Sequence, residues 1–288
     1  MCSPLVMAKV RETLNRRQVL GASAVTGAAL VAGGFGRSGS AAAMRQATPV
    51  PAGATPVAAG GSRVLDLTHV LTEQFPVFPG FPQASLEVVN TVADNGFYTL
   101  QLNLGEHVGT HMDAPAHFIA DGLTADQLPV ENLVAPLVVV DISTRAATDD
   151  DAMLTVDDLL AWEGEYGAIP AGAVVAMYSG WETRLSDPAT FLNAGADDVL
   201  HFPGFDPEAA TFLVEERTIN GVASDTISID IGASTDFGVH LTILGAGLFG
   251  LESVANLATA PAVGATLIVG GPKHEGGSGG PSRLIALV

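Results

Sequence analysis

Apolar residues recur at every second position through 97–104, where Tyr98, Leu100, Leu102 and Leu104 alternate with Thr99, Gln101 and Asn103. That period is the mark of a strand with one face buried. A second run at 86–93 precedes it, and Asp94-Asn95-Gly96 between the two reads as a hairpin turn, because Asn and Gly accept positive φ. Short apolar runs at 64–67, 137–142, 173–178, 222–223, 227–230, 266–269 and 284–288 predict further strands. Two helices are marked by their caps. Thr155, with Asp158 three residues on, opens one that runs to about 165. Asp206 followed by Pro207 opens another, which runs to 216 and is closed off by Asn220-Gly221. Gly238-Val239-His240 then leads through an apolar run to Glu252. Strands and helices alternate only loosely, so the predicted class is α/β, a single domain built on a mixed sheet.

Two stretches of this domain carry no such period. Pro76, Pro79, Gly80 and Pro82 impose an irregular loop holding Phe75, Phe78 and Phe81, which fit either a pocket wall or the core. The Gly-rich stretch 276–280 lacks the Gly-Lys-Ser/Thr of a phosphate cradle and reads as a turn.

Outside the domain the pattern changes. Lys9, Arg11, Arg16 and Arg17 form a basic head, 19–35 is weakly apolar and rich in Ala and Gly, and Ala41-Ala42-Ala43 offers small residues for cleavage. Asn15-Arg16-Arg17-Gln18-Val19-Leu20 resembles a twin-arginine export signal, which implies a periplasmic or extracellular location; an uncleaved membrane anchor is the alternative. Cleavage of the signal would leave no stable membrane insertion. Residues 44–63 are Ala, Thr, Pro and Gly with few large apolar groups, which predicts a disordered linker. The organisation expected is therefore an export signal over 1–43, a linker over 44–63 and the folded domain over 64–288.

Charge narrows the partners. Against 31 Asp+Glu stand 12 Lys+Arg, a formal charge of −19, so nothing neutralises the phosphates of nucleic acid and that partner is excluded. Cys2 is the one cysteine and lies in the expected signal, which removes disulfides, thiolate ligands and cysteine nucleophiles from the folded domain.

The chemistry is concentrated in 107–117, His-Val-Gly-Thr-His-Met-Asp-Ala-Pro-Ala-His, which spaces its candidates as His-x3-His-x-Asp-x3-His. Imidazole and carboxylate are ligands of borderline divalent ions. Gly109 and Pro115 disfavour a helix through this segment, so an extended approach is expected, with His111 and Asp113 on one side at the period of two. Asp113 is then placed to cap a short helix that opens near Pro115 and carries His117.

This run, His107-x-Gly109-Thr110-His111-x-Asp113-Ala114-Pro115-x-His117, resembles the signature of the metal-dependent cyclase family, which includes bacterial kynurenine formamidase and isatin hydrolase. Asp66 with Pro76-x-Phe78-Pro79-Gly80, His201-Phe202-Pro203-Gly204 and Gly277-Ser278-Gly279-x-Pro281-x-Arg283 extend the likeness over most of 64–288. The resemblance implies a swivelling β/β/α fold and a metal-dependent hydrolase that cleaves an amide or cyclic amide of a small molecule, commonly as a homo-oligomer. It also implies that His107, His111 and Asp113 hold one ion, that Asp113 bridges to a second where one is bound, and that His117 transfers protons. His240 and Glu252 stand twelve residues apart and match the family's later ligands. One or two ions are expected, zinc first and manganese second. Phe78 stands where the formamidases have tryptophan against the substrate, so their specificity does not carry over directly.

An isatin- or lactone-type hydrolase and a non-catalytic exported metal- or solute-binding protein are the competing readings. His117 separates the last of these, because a binder needs no proton carrier beside its ligands. Asp225 and Asp230 are candidates to orient a ligand histidine, Trp181 is a pocket or core residue, and His69, His201 and His274 are read as surface or supporting groups.

Overall fold

A computed structural model of the chain describes residues 63–288, so the expected export signal and nearly all of the expected linker lie outside the described residues. Among the described residues are thirteen strands. They are β1 (Val64–Asp66), β2 (Ser85–Asn90), β3 (Thr99–Asn103), β4 (His111–Asp113), β5 (Val134–Asp141), β6 (Met153–Leu154), β7 (Ala173–Tyr178), β8 (Gly204–Phe205), β9 (Ile219–Ser224), β10 (Phe249–Glu252), β11 (Ala265–Gly270), β12 (Gly279–Pro281) and β13 (Arg283–Leu287). Nine form one mixed sheet in the order β1-β13-β11-β5-β7-β9-β10-β4-β12. The neighbours β5, β7, β9 and β10 run parallel, and every other pairing in the sheet is antiparallel.

The parallel strands are apolar on both faces, as strands covered on both sides must be. Val138, Val140, Val175, Met177 and Val222 pack on one side against the three longer helices, α1 (Val156–Tyr166), α2 (Pro207–Glu216) and α3 (Gly238–Gly245). Leu137, Val139, Val174, Ala176 and Ala223 face the other side, where they meet Leu65 and Leu67, Met112 of β4, Leu251 of β10, and Leu284 and Ala286 of β13. Residues near both edges of the sheet thus share one core. Thr68 bridges to Val254, and Ala255 donates to the Leu67 carbonyl, so the sheet curls until its edges approach.

Local chemistry explains the helices that the caps predict. Thr155 accepts from Asp158 N while Asp158 accepts from Thr155 N, a reciprocal cap for α1. Asp206 accepts from Glu208 N, and Pro207 occupies the first position of α2.

Four local expectations need correction. The strand at 97–104 exists as β3 but is not half-buried: all five of its residues are exposed, because β2 and β3 form a separate ribbon outside the main sheet. Its connection is a one-turn helix, Val92–Asn95, capped by Thr91 and ended by Gly96 at φ 78°, rather than a tight hairpin turn at Asp94-Asn95-Gly96. Asn220-Gly221 lies within β9 and does not end α2. A Cβ on Gly221 would lie 2.4 Å from the Phe249 carbonyl oxygen, so glycine here serves close strand approach. Residues 227–230 form a loop rather than a strand, and Ile229 N is taken by Glu252 Oε1.

Candidate metal centre and pocket

The three-residue β4 lies between β10 and β12. Strand alternation sends His111 and Asp113 to one face and Met112 to the apolar core on the other, as the extended reading requires. Antiparallel register sets His111 opposite Glu252. His240 arrives on the first turn of α3, and the chain returns from that helix along β10 to Glu252. The twelve-residue separation of the two is thus one helix and one returning strand.

Side chains from these elements meet in one buried cluster. His107 Nδ1 lies 2.6 Å from Asp113 Oδ1, and His111 Nε2 lies 3.3 Å from both Asp113 Oδ1 and Glu252 Oε2. His240 Nε2 lies 3.1 Å from Glu252 Oε1 and 3.4 Å from Asp113 Oδ2. The His117 ring stacks on that of His107 with centroids 3.7 Å apart. Two ligand groups can be drawn here, His111 with Asp113 and Glu252, and His107 with Asp113 and His117. Asp113 belongs to both.

Hydrogen bonds outside the cluster decide which nitrogen each imidazole turns inward. His111 Nδ1 donates to the Gly109 carbonyl at 2.9 Å, which leaves Nε2 facing the carboxylates. His240 Nδ1 donates to Asp230 Oδ2 at 2.6 Å, which again leaves Nε2 inward. His107 turns Nδ1 to Asp113, and its Nε2 meets Ser278 Oγ at 2.9 Å. Glu106 holds Ser278 in turn, accepting from its backbone N–H and its hydroxyl, and also pairs with His274.

The electrostatics and donor set of the cluster fit a divalent cation. Burial opposes the charged form of His111, yet the carboxylates of Asp113 and Glu252 outweigh it and raise this imidazole to about 10. Burial likewise opposes charge on Asp113, but His111, His107 and His240 hold its carboxyl well below the usual range. His240 is raised in the same way, against its burial, by Asp113, Asp230 and Glu252. His111 Nε2 and Asp113 Oδ2 are buried without a hydrogen-bond partner, and orphaned buried polar atoms are costly. Imidazole nitrogens and carboxylate oxygens turned inward on such atoms suit a divalent ion. His117 behaves differently: burial lowers it to about 4, so it is neutral near pH 7.

Above the cluster opens a pocket of about 110 Å³, walled by Phe78, Phe81, Phe118, Phe237 and Ile227, with Ser228 beside the cluster. Among the described residues, no lysine or arginine lines it.

All seven site residues expected from the chain, His107, His111, Asp113, His117, His240, Glu252 and Phe78, border this pocket or the cluster beneath it. Asp113 does not cap the short turn Pro115–His117, whose cap residue is Ala114, because its carboxylate is engaged by the histidines. Among the proline-loop aromatics, Phe75 is buried in the body of the protein and only Phe78 and Phe81 reach the pocket. Asp230 orients His240, whereas Asp225 accepts from Ser179 and from Trp181 N and touches no imidazole. Trp181 is a core residue that donates to the Phe191 carbonyl. His201 pairs with Asp151 at the surface.

The stretch 276–280 is more than a turn. Gly279 begins β12, which pairs with β4, and a Cβ there would lie 2.3 Å from the Met112 carbonyl oxygen and 2.7 Å from His107 Cε1. Phe118 and Phe237 are pocket walls that inspection of the chain alone misses. Phe118 was accessible to it as the neighbour of His117; Phe237 has no sequence signal.

The Cyclase family model, described as "Putative cyclase", matches residues 65–231. Isatin hydrolase of Roseibium aggregatum is 38% identical over 247 residues, covering 80% of this chain and 93% of that protein. A kynurenine formamidase of Geobacillus thermodenitrificans is 24% identical over 192 residues, covering 66% and 81%. A crystal structure of an isatin hydrolase bound to the product analogue thioisatinate superposes with a TM-score of 0.76 at 37% identity, covering 79% of this chain and 92% of that one. The matched model and the likeness to isatin hydrolase over 80% of this chain place it in the Cyclase family of metal-dependent hydrolases.

Proposed function

We propose that this protein is a metal-dependent hydrolase that opens an amide or cyclic amide bond in a small, neutral aromatic substrate. The observation that carries the reading is the convergence of five ligand side chains, with two orphaned polar atoms among them, beside a neutral His117 at the floor of an aromatic pocket. His107, His111, Asp113, His240 and Glu252 would hold one or two ions, zinc in the first place and manganese in the second. A bound ion supplies a Lewis acid that polarises a carbonyl and acidifies water.

The protein's own groups do the rest. Burial keeps His117 unprotonated, so its imidazole is free to take a proton from water as the carbonyl is attacked. Its conjugate acid is correspondingly strong and returns that proton to the departing nitrogen. Phe78, Phe118 and Phe237 exclude water and hold a flat ring over the ligands. Among the described residues no lysine or arginine lines the pocket, so an amino-acid carboxylate on the substrate has no such side chain to pair with there. That favours a neutral cyclic amide such as isatin over a formylated amino acid.

The test is a panel of isatin, N-formyl aryl amines and lactones given to zinc- and manganese-loaded protein, with a chelated control. Metal-dependent ring opening or formate release supports the reading. Loaded protein that turns over none of them counts against the reading. The same preparation gives the ion by elemental analysis and the homo-oligomer by light scattering. Export by the 1–43 signal is tested by locating the folded protein in cell fractions. No helix among the described residues is long and apolar enough to cross a membrane.

A further inference from the structure

Phe237 has an unusual backbone for a large side chain. It sits at φ 53°, ψ 44°, the left-handed region that a residue with a Cβ enters at a cost and glycine enters freely. Its surroundings hold it there from both sides. Its N–H is bound by Ser234 Oγ at 3.1 Å, and its carbonyl accepts the Leu241 N–H at 2.9 Å as the first bond of α3. Ser234 itself leans on Asp230, the carboxylate that caps α3 and orients His240.

The ring gains little from the rest of the fold. Phe78 packs against the buried cluster of Trp181, Phe191 and Phe202, whereas Phe237 joins none of the three apolar cores. Its aromatic neighbours are Phe78 at 6.1 Å, Phe118 at 5.4 Å and His240 at 5.9 Å, and all three line the pocket. Phe118 is committed to the imidazoles, lying 4.7 Å from His117 and 4.6 Å from His240, and Phe81 is largely exposed at 43%. A strained position that carries a ring where glycine would relax it is sustained by what the ring does in the pocket.

We propose that Phe237 is the specificity-determining wall of this site, the residue that selects flat aromatic substrates by stacking against them while its backbone anchors the helix start that delivers His240. The inference rests on the hydrolase reading and names the residue that gives it its aromatic preference. Phe237→Gly keeps the left-handed backbone and removes only the ring, so it separates the two roles; Phe237→Leu keeps apolar volume without the flat face.

The experiment uses metal-loaded protein, with KM and kcat for isatin, the dissociation constant of thioisatinate by calorimetry, and metal content. In the glycine variant KM and the dissociation constant rise about tenfold, kcat stays within about threefold, metal content is unchanged, and the leucine variant falls between. Wild-type values in the glycine variant overturn the proposal. So does a variant that loses metal or kcat at constant KM, which would make Phe237 only a helix-start residue. A wild-type protein that binds thioisatinate but opens no amide counts against the hydrolase reading alone, and the binding comparison then still decides the role of Phe237. A wild type that does not bind thioisatinate overturns both.

Discussion

Asp230 and His240 are joined twice: the carboxylate accepts the imidazole Nδ1–H at 2.6 Å and, through the same oxygen, the His240 backbone N–H at 3.1 Å. Its other oxygen takes the Val239 N–H at 2.9 Å. One buried side chain therefore starts α3 and fixes which nitrogen of His240 faces the cluster. Replacing Asp230 by Ala is expected to weaken metal binding roughly 10- to 100-fold and to cost about 1 kcal/mol in lost helix cap. Competition with a chromophoric chelator reads the first and thermal unfolding of the metal-free protein the second. Unchanged metal affinity would show that His240 needs no orienting partner.

His117 is stacked on His107 and stays neutral through burial. In His117→Ala, bound metal should be retained while kcat falls by roughly 100- to 10,000-fold, the range for a lost proton carrier. Loss of metal in step with activity would make His117 a ligand with His107 and Asp113, the alternative its position permits.

Gly279 lies against the ligand strand with no room for a methyl group. Gly279→Ala is expected to destabilise the protein by about 1–3 kcal/mol through overpacking and to displace His107. Both a lower melting temperature and weaker metal binding should follow. A variant with wild-type values for both would mean that β12 can move away from β4 without consequence.

Asp225 offers a pH test away from the metal. Burial pushes its carboxyl up to about 6, against the bonds it accepts from Ser179 and Trp181. In the unfolded chain an aspartate titrates near ~3.9. Between those values the folded state keeps a proton that the unfolded state has lost, so stability falls as pH rises through the window of about 4 to 6 and levels off above it. Melting temperatures of the wild type and Asp225→Asn, taken from pH 4 to 8, should show the wild type losing ground to the variant up to about pH 6 and none beyond. A difference that is constant or grows in the opposite direction contradicts the shift.

How much of this was open to inspection of the chain depended on how local the cause was. The start of α1 and the whole of α2 follow from side chains that bond their own backbone two or three residues away. Strand β7 follows from a run too apolar to lie anywhere but inside. The candidate ligand set on 107–117 was readable because its spacing, extended backbone and residue types all lie within eleven positions. His240 and Glu252 came only through resemblance, since nothing near them in the chain marks them as ligands.

The remainder depended on which distant surfaces meet. β3 has the period of a half-buried strand, but burial needs a second surface and the main sheet does not supply one. Asp225 and Asp230 are alike in the chain; only the packing of α3 against β10 brings one of them to an imidazole. The glycines at 276–280 look like a turn until β12 pairs with β4 and closes over His107. Phe237 becomes a wall because the loop before α3 folds back beside Phe78 and Phe118. Sequence by itself thus determined the candidate donors of 107–117, their extended backbone and the caps of α1 and α2, because capping and periodicity act over a few residues. Tertiary structure alone decided which donors converge and which aromatic rings enclose them, because that rests on contacts between segments more than a hundred residues apart.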